Sequence, residues 1–261
     1  MQPAVAPPQA PPTDVSFSAL FEETWRLVKK HPVPLLVLPV LLGVITGAGN
    51  TRPRYSAGTG AFPSNPLVLL PFFALLGALA LVALVLIVLA NAWVSLVTTR
   101  AALDAIQTGR EPDLGASVRA VGSGFWSALG TLLLSLLVVI VAFICLVVPG
   151  FIALAGLWPI VSIILVEGQG GAAALRRAWD LTKGHKWTVF GFGLVVLLCG
   201  GVASAILGAF PLVGGALGGV ASGAASGFLL VAAAVFYTRR VAATSPPPAP
   251  PAASVSAPPA W

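Results

Sequence analysis

From Pro66 to Thr99 the chain runs thirty-four residues without a charged side chain. About twenty apolar residues already cross the roughly 30 Å hydrocarbon core of a bilayer, so lipid is the solvent this run is built for. As one helix it is roughly 50 Å long and must tilt or project beyond the membrane. Projection fits, because helical spacing continues through Ala101, Ala102, Ile106 and Gln107 before Gly109. Five further apolar runs, at 33–48, 125–148, 151–166, 188–210 and 215–237, repeat the signal. The expected fold class is therefore all-α: a polytopic membrane helical bundle with six transmembrane helices. Pro32 and Pro34 are tolerated in an opening turn. Pro149-Gly150 predicts a tight turn between the third and fourth spans, and Pro159 a kink in the fourth. Only 8% of residues are charged, against about a quarter in a soluble domain.

Three polar segments precede spans and predict interfacial amphipathic helices. In 14–31, Phe17, Leu20, Phe21, Thr24 and Val28 share one face. The segment 113–121 is a weaker case. The central one, 167–187, predicts a helix from about Ala172 to Lys183, with Leu175, Ala178, Trp179 and Thr182 on one face. Gly184 supplies a left-handed C-cap, and Lys186 and Trp187 stand at the mouth of the next span as interfacial anchors. Residues 1–13 and 242–261 are Pro/Ala-rich and expected to be disordered tails around a membrane domain of 14–241. Residues 49–65 form a loop. No basic n-region precedes a short apolar stretch, so the first span is expected to be an uncleaved anchor.

Basic residues orient the bundle. With the N-terminus inside, twelve of the fourteen Lys and Arg lie inside, and only Arg52 and Arg54, in the 49–65 loop, lie outside. Both termini are then cytosolic. The net charge of +6 is read as this topology signal, not as a nucleic-acid footprint. Anionic-lipid attraction by the same bases is compatible with it.

Trp25-x-Leu27-x-Lys29-x-His31 recurs as Trp179-x-Leu181-x-Lys183-x-His185 just before a later span. Duplication of a unit, one interfacial helix plus a two-span hairpin, is the favoured reading. The alternative is that interfacial helices independently favour Trp and Lys.

Little of the chain carries chemistry. No charge falls inside a predicted span, which argues against an ion-coupled transporter. Asn91 is the strongest hydrogen-bonder there and reads as interhelical glue. His31 and His185 sit at helix ends without partners at metal or proton-relay spacing. Cys145 and Cys199 read as small buried hydrophobes. No Gly-x-Ser-x-Gly, phosphate loop or His-Glu-x-x-His motif occurs. Neither an enzyme nor a cofactor is expected. Gly215, Gly219, Gly223 and Gly227 repeat every four residues on the sixth span, beside a second small stripe of Gly214, Gly218, Ser222 and Ser226. With Gly200, Ser204 and Gly208 on the fifth, close packing within the last hairpin is expected. A self-association face or a narrow pore is the alternative.

Pro149-Gly150, Trp158-Pro159, Glu167, Ala174-Leu175, Trp179, Leu181, Gly184 and Trp187 together resemble the membrane domain that accompanies some bacterial glycerophosphoryl diester phosphodiesterases, and related stand-alone six-span proteins. The likeness covers about 110–190 best. Ala178 departs from it, where a serine is expected, and the catalytic barrel is missing. The resemblance therefore implies a membrane module in a bacterial inner membrane and carries over no catalytic residue. The expected function is a non-catalytic module that scaffolds or regulates a membrane or cytosolic partner, or organises lipid, anionic lipid included, through Arg176, Arg177, Trp179, Lys183, Lys186 and Trp187. Trp25 and Lys29 should lie beside them if the repeat is real. The rival is a channel or permease for a small or lipid-like solute. A cavity lined by Asn91 and span serines would favour the rival.

Overall fold

The computed structural model describes residues 15–49, 66–210 and 213–244. The predicted tails, apart from 242–244, and the loop carrying Arg52 and Arg54 lie outside the described residues. The rest is helical: α1 (Phe17–Lys30), α2 (Pro32–Gly49), α3 (Pro66–Thr108), α4 (Leu114–Gly122), α5 (Phe125–Cys145), α6 (Val147–Gly156), α7 (Ile160–Glu167), α8 (Gly171–Leu181), α9 (Lys186–Gly208) and α10 (Gly214–Thr244). Five stretches are long and apolar enough to cross a membrane, and α2 taken with α1 makes six. The chain is an all-α membrane helical bundle.

Ser16 caps α1, its hydroxyl accepting from Ala19 N at 3.4 Å. His31 ends the helix and Pro32 opens α2, a position whose missing N–H would be unpaired anyway. The axes bend by 94° between α1 and α2. If α2 stands across a bilayer, α1 lies in its plane. As predicted, α3 continues without a break to Thr108, about 65 Å in all at 1.5 Å per residue. Gly109, at φ 65°, turns the chain away, and Lys30 Nζ donates to its carbonyl at 3.0 Å.

The turn expected at Pro149-Gly150 lies elsewhere. Leu146 alone is extended, and both residues belong to α6. Pro149 is the third residue there, where the N–H has no intrahelical partner to lose. Gly150 instead admits the Phe143 ring, which a Cβ would strike. The helix is interrupted at Leu157–Pro159, and Pro159 is the N-cap of α7.

The hairpin of α5 with α6 and α7 leans back towards α9. Phe143 packs on Phe151 (5.2 Å between centroids), Phe151 on Phe190 (5.3 Å) and Phe190 on Trp187 (6.1 Å). The tip expected on the outer side thus lies beside the first turn of α9. Hydropathy reports that a helix is long enough to cross, not which way it runs.

Among the described residues the buried core has two clusters: Leu96, Leu103, Val121, Ile163 and Leu181 belong to one, and Leu20, Phe192, Val235 and Phe236 to the other. By contrast, α3 is exposed on every side from Phe73 to Val88, as a helix surrounded by lipid tails needs no inward face. Cys145 and Cys199 are likewise on the outside of the bundle, not in its interior as expected.

The glycine stripe corrects another expectation. Gly219 and Gly223 do not face α9; they face α2. A Cβ on Gly219 would land on the Gly43 carbonyl oxygen, one on Gly47 on the Gly215 carbonyl oxygen, and one on Gly223 within 2.7 Å of Val40 Cα. Gly227 meets Leu36 and Pro39. The second stripe is the one that closes the last hairpin. Gly218 lies against Ser204, whose hydroxyl donates to the Gly218 carbonyl at 2.9 Å, and Gly214 against Gly208. Two adjoining faces of one helix therefore serve two partners. The signal for the first was present in Gly43 and Gly47, four residues apart on the first span.

Candidate functional site: the basic end and its groove

Glycines set α8 in place. Gly168, Gly171 and Gly184 have φ of 64°, 59° and 84°, so the chain turns at both ends of the helix in conformations that side chains resist. Gly171 N donates to Thr131 Oγ1 of α5 at 2.9 Å. The inward face is Ala174, Ala178, Leu181 and Thr182, rotated from the predicted one. Thr182 Oγ1 donates to Gly156 O at 3.2 Å. Trp179 is 41% exposed. One edge of its ring covers Gly156, where a Cβ would come within 2.6 Å, and Lys186 Nζ stands 3.0 Å from the ring centroid. Trp187 is 76% exposed, and Arg176 and Lys183 are exposed too.

Not every basic residue is available to a ligand. Arg177 Nε donates to both carboxylate oxygens of Glu167, at 3.1 and 3.2 Å, and Tyr237 OH donates to the same carboxylate at 3.1 Å. Arg177 thus helps tie α8 to α7 and α10, with 39% of its side chain still accessible. Arg239 is 5% exposed. Its Nε donates to Glu23 at 2.6 Å and its Nη2 to Ala19 O at 3.3 Å, both in α1. Arg240 Nε donates to Leu181 O of α8 at 2.9 Å. Hence α1 and α8 are joined through the end of α10, which holds one with each arginine. Phe17 and Phe21 add ring contacts from α1 to Phe192 and Phe228. Trp25 is exposed, stacked on Phe21, with Lys29 Nζ 5.8 Å from its centroid. In α1 the lysine four residues on covers the indole; in α8 it is Lys186, seven on.

A polar and an apolar cavity open between the helices. Asn91 is no interhelical glue: its Nδ2 donates to Ile87 O of its own helix at 2.9 Å. It does line a cavity of about 160 Å³ with Thr46, Ser95, Ser222 and Ser226, between α2, α3 and α10. Ser226 lies twelve residues from Gly214 and thirteen from Arg239, about 18 and 20 Å along the helix. The second, of about 370 Å³, is apolar and opens between α5, α6 and α9. Sequence reasoning missed it, because it arises from the lean of the hairpin.

A family described only as a domain of unknown function (DUF7847) matches residues 114–246, about half of the chain. The chain belongs to this family. The DUF7847 match takes in α4 to α10, and with them the basic end and the apolar groove. It leaves out α2, which supplies the partner of the glycine stripe. No curated protein and no solved structure matches the chain.

Proposed function

We propose that the chain is a non-catalytic membrane module whose basic end faces the cytosol and organises anionic lipid or seats an acidic partner there. One observation carries this reading: once Arg177, Arg239 and Arg240 are used in internal contacts, the exposed Arg176 and Lys183 and the half-buried Lys186 share the end of the bundle with the exposed indoles of Trp25, Trp179 and Trp187. An interfacial helix binds by apolar burial plus attraction to anionic headgroups. The likeness to phosphodiesterase membrane domains supports a module working beside a partner. Replacing Arg176 and Lys183 by Gln should strip co-purified anionic lipid or partner in a salt-sensitive way, since such attraction decays over about 8 Å at physiological salt. If all co-purifying material survives in the double variant, these bases only fix topology.

The orientation has its own test. In a chain with Cys145 and Cys199 replaced, single cysteines at Ser56, Gly170 and Ser254 are treated with an impermeant thiol reagent on intact cells. Only Ser56→Cys should react. Labelling of Gly170→Cys would turn the basic end outward.

The cavity at Asn91 favours a second reading, a permease or channel for a small polar solute. Against it, Asn91, Ser95 and Ser226 already donate to carbonyls of their own helices, which leaves a solute mainly acceptors.

A further inference from the structure

We propose that the groove between α5, α6 and α9 binds one acyl chain of an anionic phospholipid, with the phosphate held by Lys186 at its mouth. The inference rests on the reading of the basic end as the lipid-facing one and names the lipid class and its seat.

The groove walls are Leu136 and Val139 of α5, Leu154 of α6, and Leu194 and Leu197 of α9, with Trp158 across one end. Ser135 is its one side-chain hydroxyl, and that already donates to Leu132 O at 2.7 Å. Apart from that hydroxyl and the Trp158 indole N–H the walls are hydrocarbon, and an alkyl chain asks for no hydrogen bond. A second cavity of about 200 Å³, between Val148, Ile152, Lys186 and Trp187, adjoins the groove across the shared Phe151, Ala155 and Phe190. Together they fall in the roughly 300–1,000 Å³ range of small-ligand sites.

The mouth is chemically distinct from the trough. Lys186 is the one charged residue among the walls of the two cavities. It lines the second cavity beside Val148, Phe151 and Ile152, and its ammonium stands over the Trp179 ring, an arrangement suited to a lysine that keeps its charge at headgroup level. Lys183 is three residues before it, and Trp187 marks the same interface. An apolar trough ending in a cation matches an amphiphile with a negative head. The bilayer supplies such molecules in excess. On the α9 wall, Gly193 meets no atom within 4 Å of where a Cβ would sit, so the space beside it is open.

That opening also provides the test. Purified protein in detergent is mixed with phosphatidylglycerol or phosphatidylcholine carrying the same acyl chains, and bound lipid is counted by native mass spectrometry. One phosphatidylglycerol should be retained about fivefold better than phosphatidylcholine, the effect of one well-placed base. Lys186→Gln should erase that preference and leave phosphatidylcholine retention unchanged. Gly193→Leu, whose Cβ enters open space, should fill the trough and lower retention of both lipids about tenfold. Leu136→Trp, from the facing wall, should do the same and serves if the first variant unfolds. Wild-type retention in both filling variants would overturn the site. An unchanged preference in Lys186→Gln would overturn the headgroup assignment. A dimer mass lost in Gly193→Leu would assign the groove to a second copy and also overturn the proposal. Arg176→Gln with Lys183→Gln should remove the further, salt-sensitive lipid or partner held by the rim and leave the single groove lipid in place, so loss of the wider rim and loss of the groove are distinguishable.

Discussion

Replacing Arg239 by Met is expected to destabilise the bundle by about 3–5 kcal/mol, the range for removing one partner of a buried ion pair. The guanidinium reaches Glu23 and the Ala19 carbonyl from a position where only 6% of its side chain is accessible, and Glu23 itself is 18% accessible. Methionine fills much of the volume but leaves the Glu23 carboxylate without its counter-charge. Adding Glu23→Gln to the same chain should recover part of the loss, because the stranded charge is then gone. Arg240→Gln gives up one hydrogen bond to Leu181 O and should cost only about 1 kcal/mol. Thermal unfolding in detergent reads all four chains. If Arg239→Met melts with the wild type, the clamp between α1 and α10 is not a stabilising contact.

The second large effect is expected at Gly219. Overpacking a tight core commonly costs about 1–3 kcal/mol, and here the neighbour is backbone, Gly43 carbonyl and Val44 Cα, which has no rotamer to escape into. Gly219→Leu should therefore reach or exceed the top of that range by forcing α2 away from α10. Gly191→Leu and Gly201→Leu on α9 meet open space and should stay within about 0.5 kcal/mol, as surface changes usually do. A melting temperature for Gly219→Leu no lower than for these controls would place that face towards lipid.

The sequence by itself determined the fold class, the apolar stretches long enough to cross a membrane, the short amphipathic helices before them and the kink at Pro159. These depend on local periodicity, on proline and on run length against bilayer thickness, all of which are printed in order along the chain. Only the tertiary structure decided which partner each face meets. In lipid no hydrophobic drive pairs helices. Shape does, and shape joined Gly219 to Gly43 across most of the chain while nearest-neighbour reasoning joined it to α9. The same holds at the basic end. Charge counts treat Arg176 and Arg177 alike, yet one faces outward and the other is held by Glu167. Arg239 and Arg240 enter the charge count as two more inside bases, yet they hold α1 and α8. The apolar groove had no sequence signal at all, because a gap between two leaning helices is a property of their relative angle.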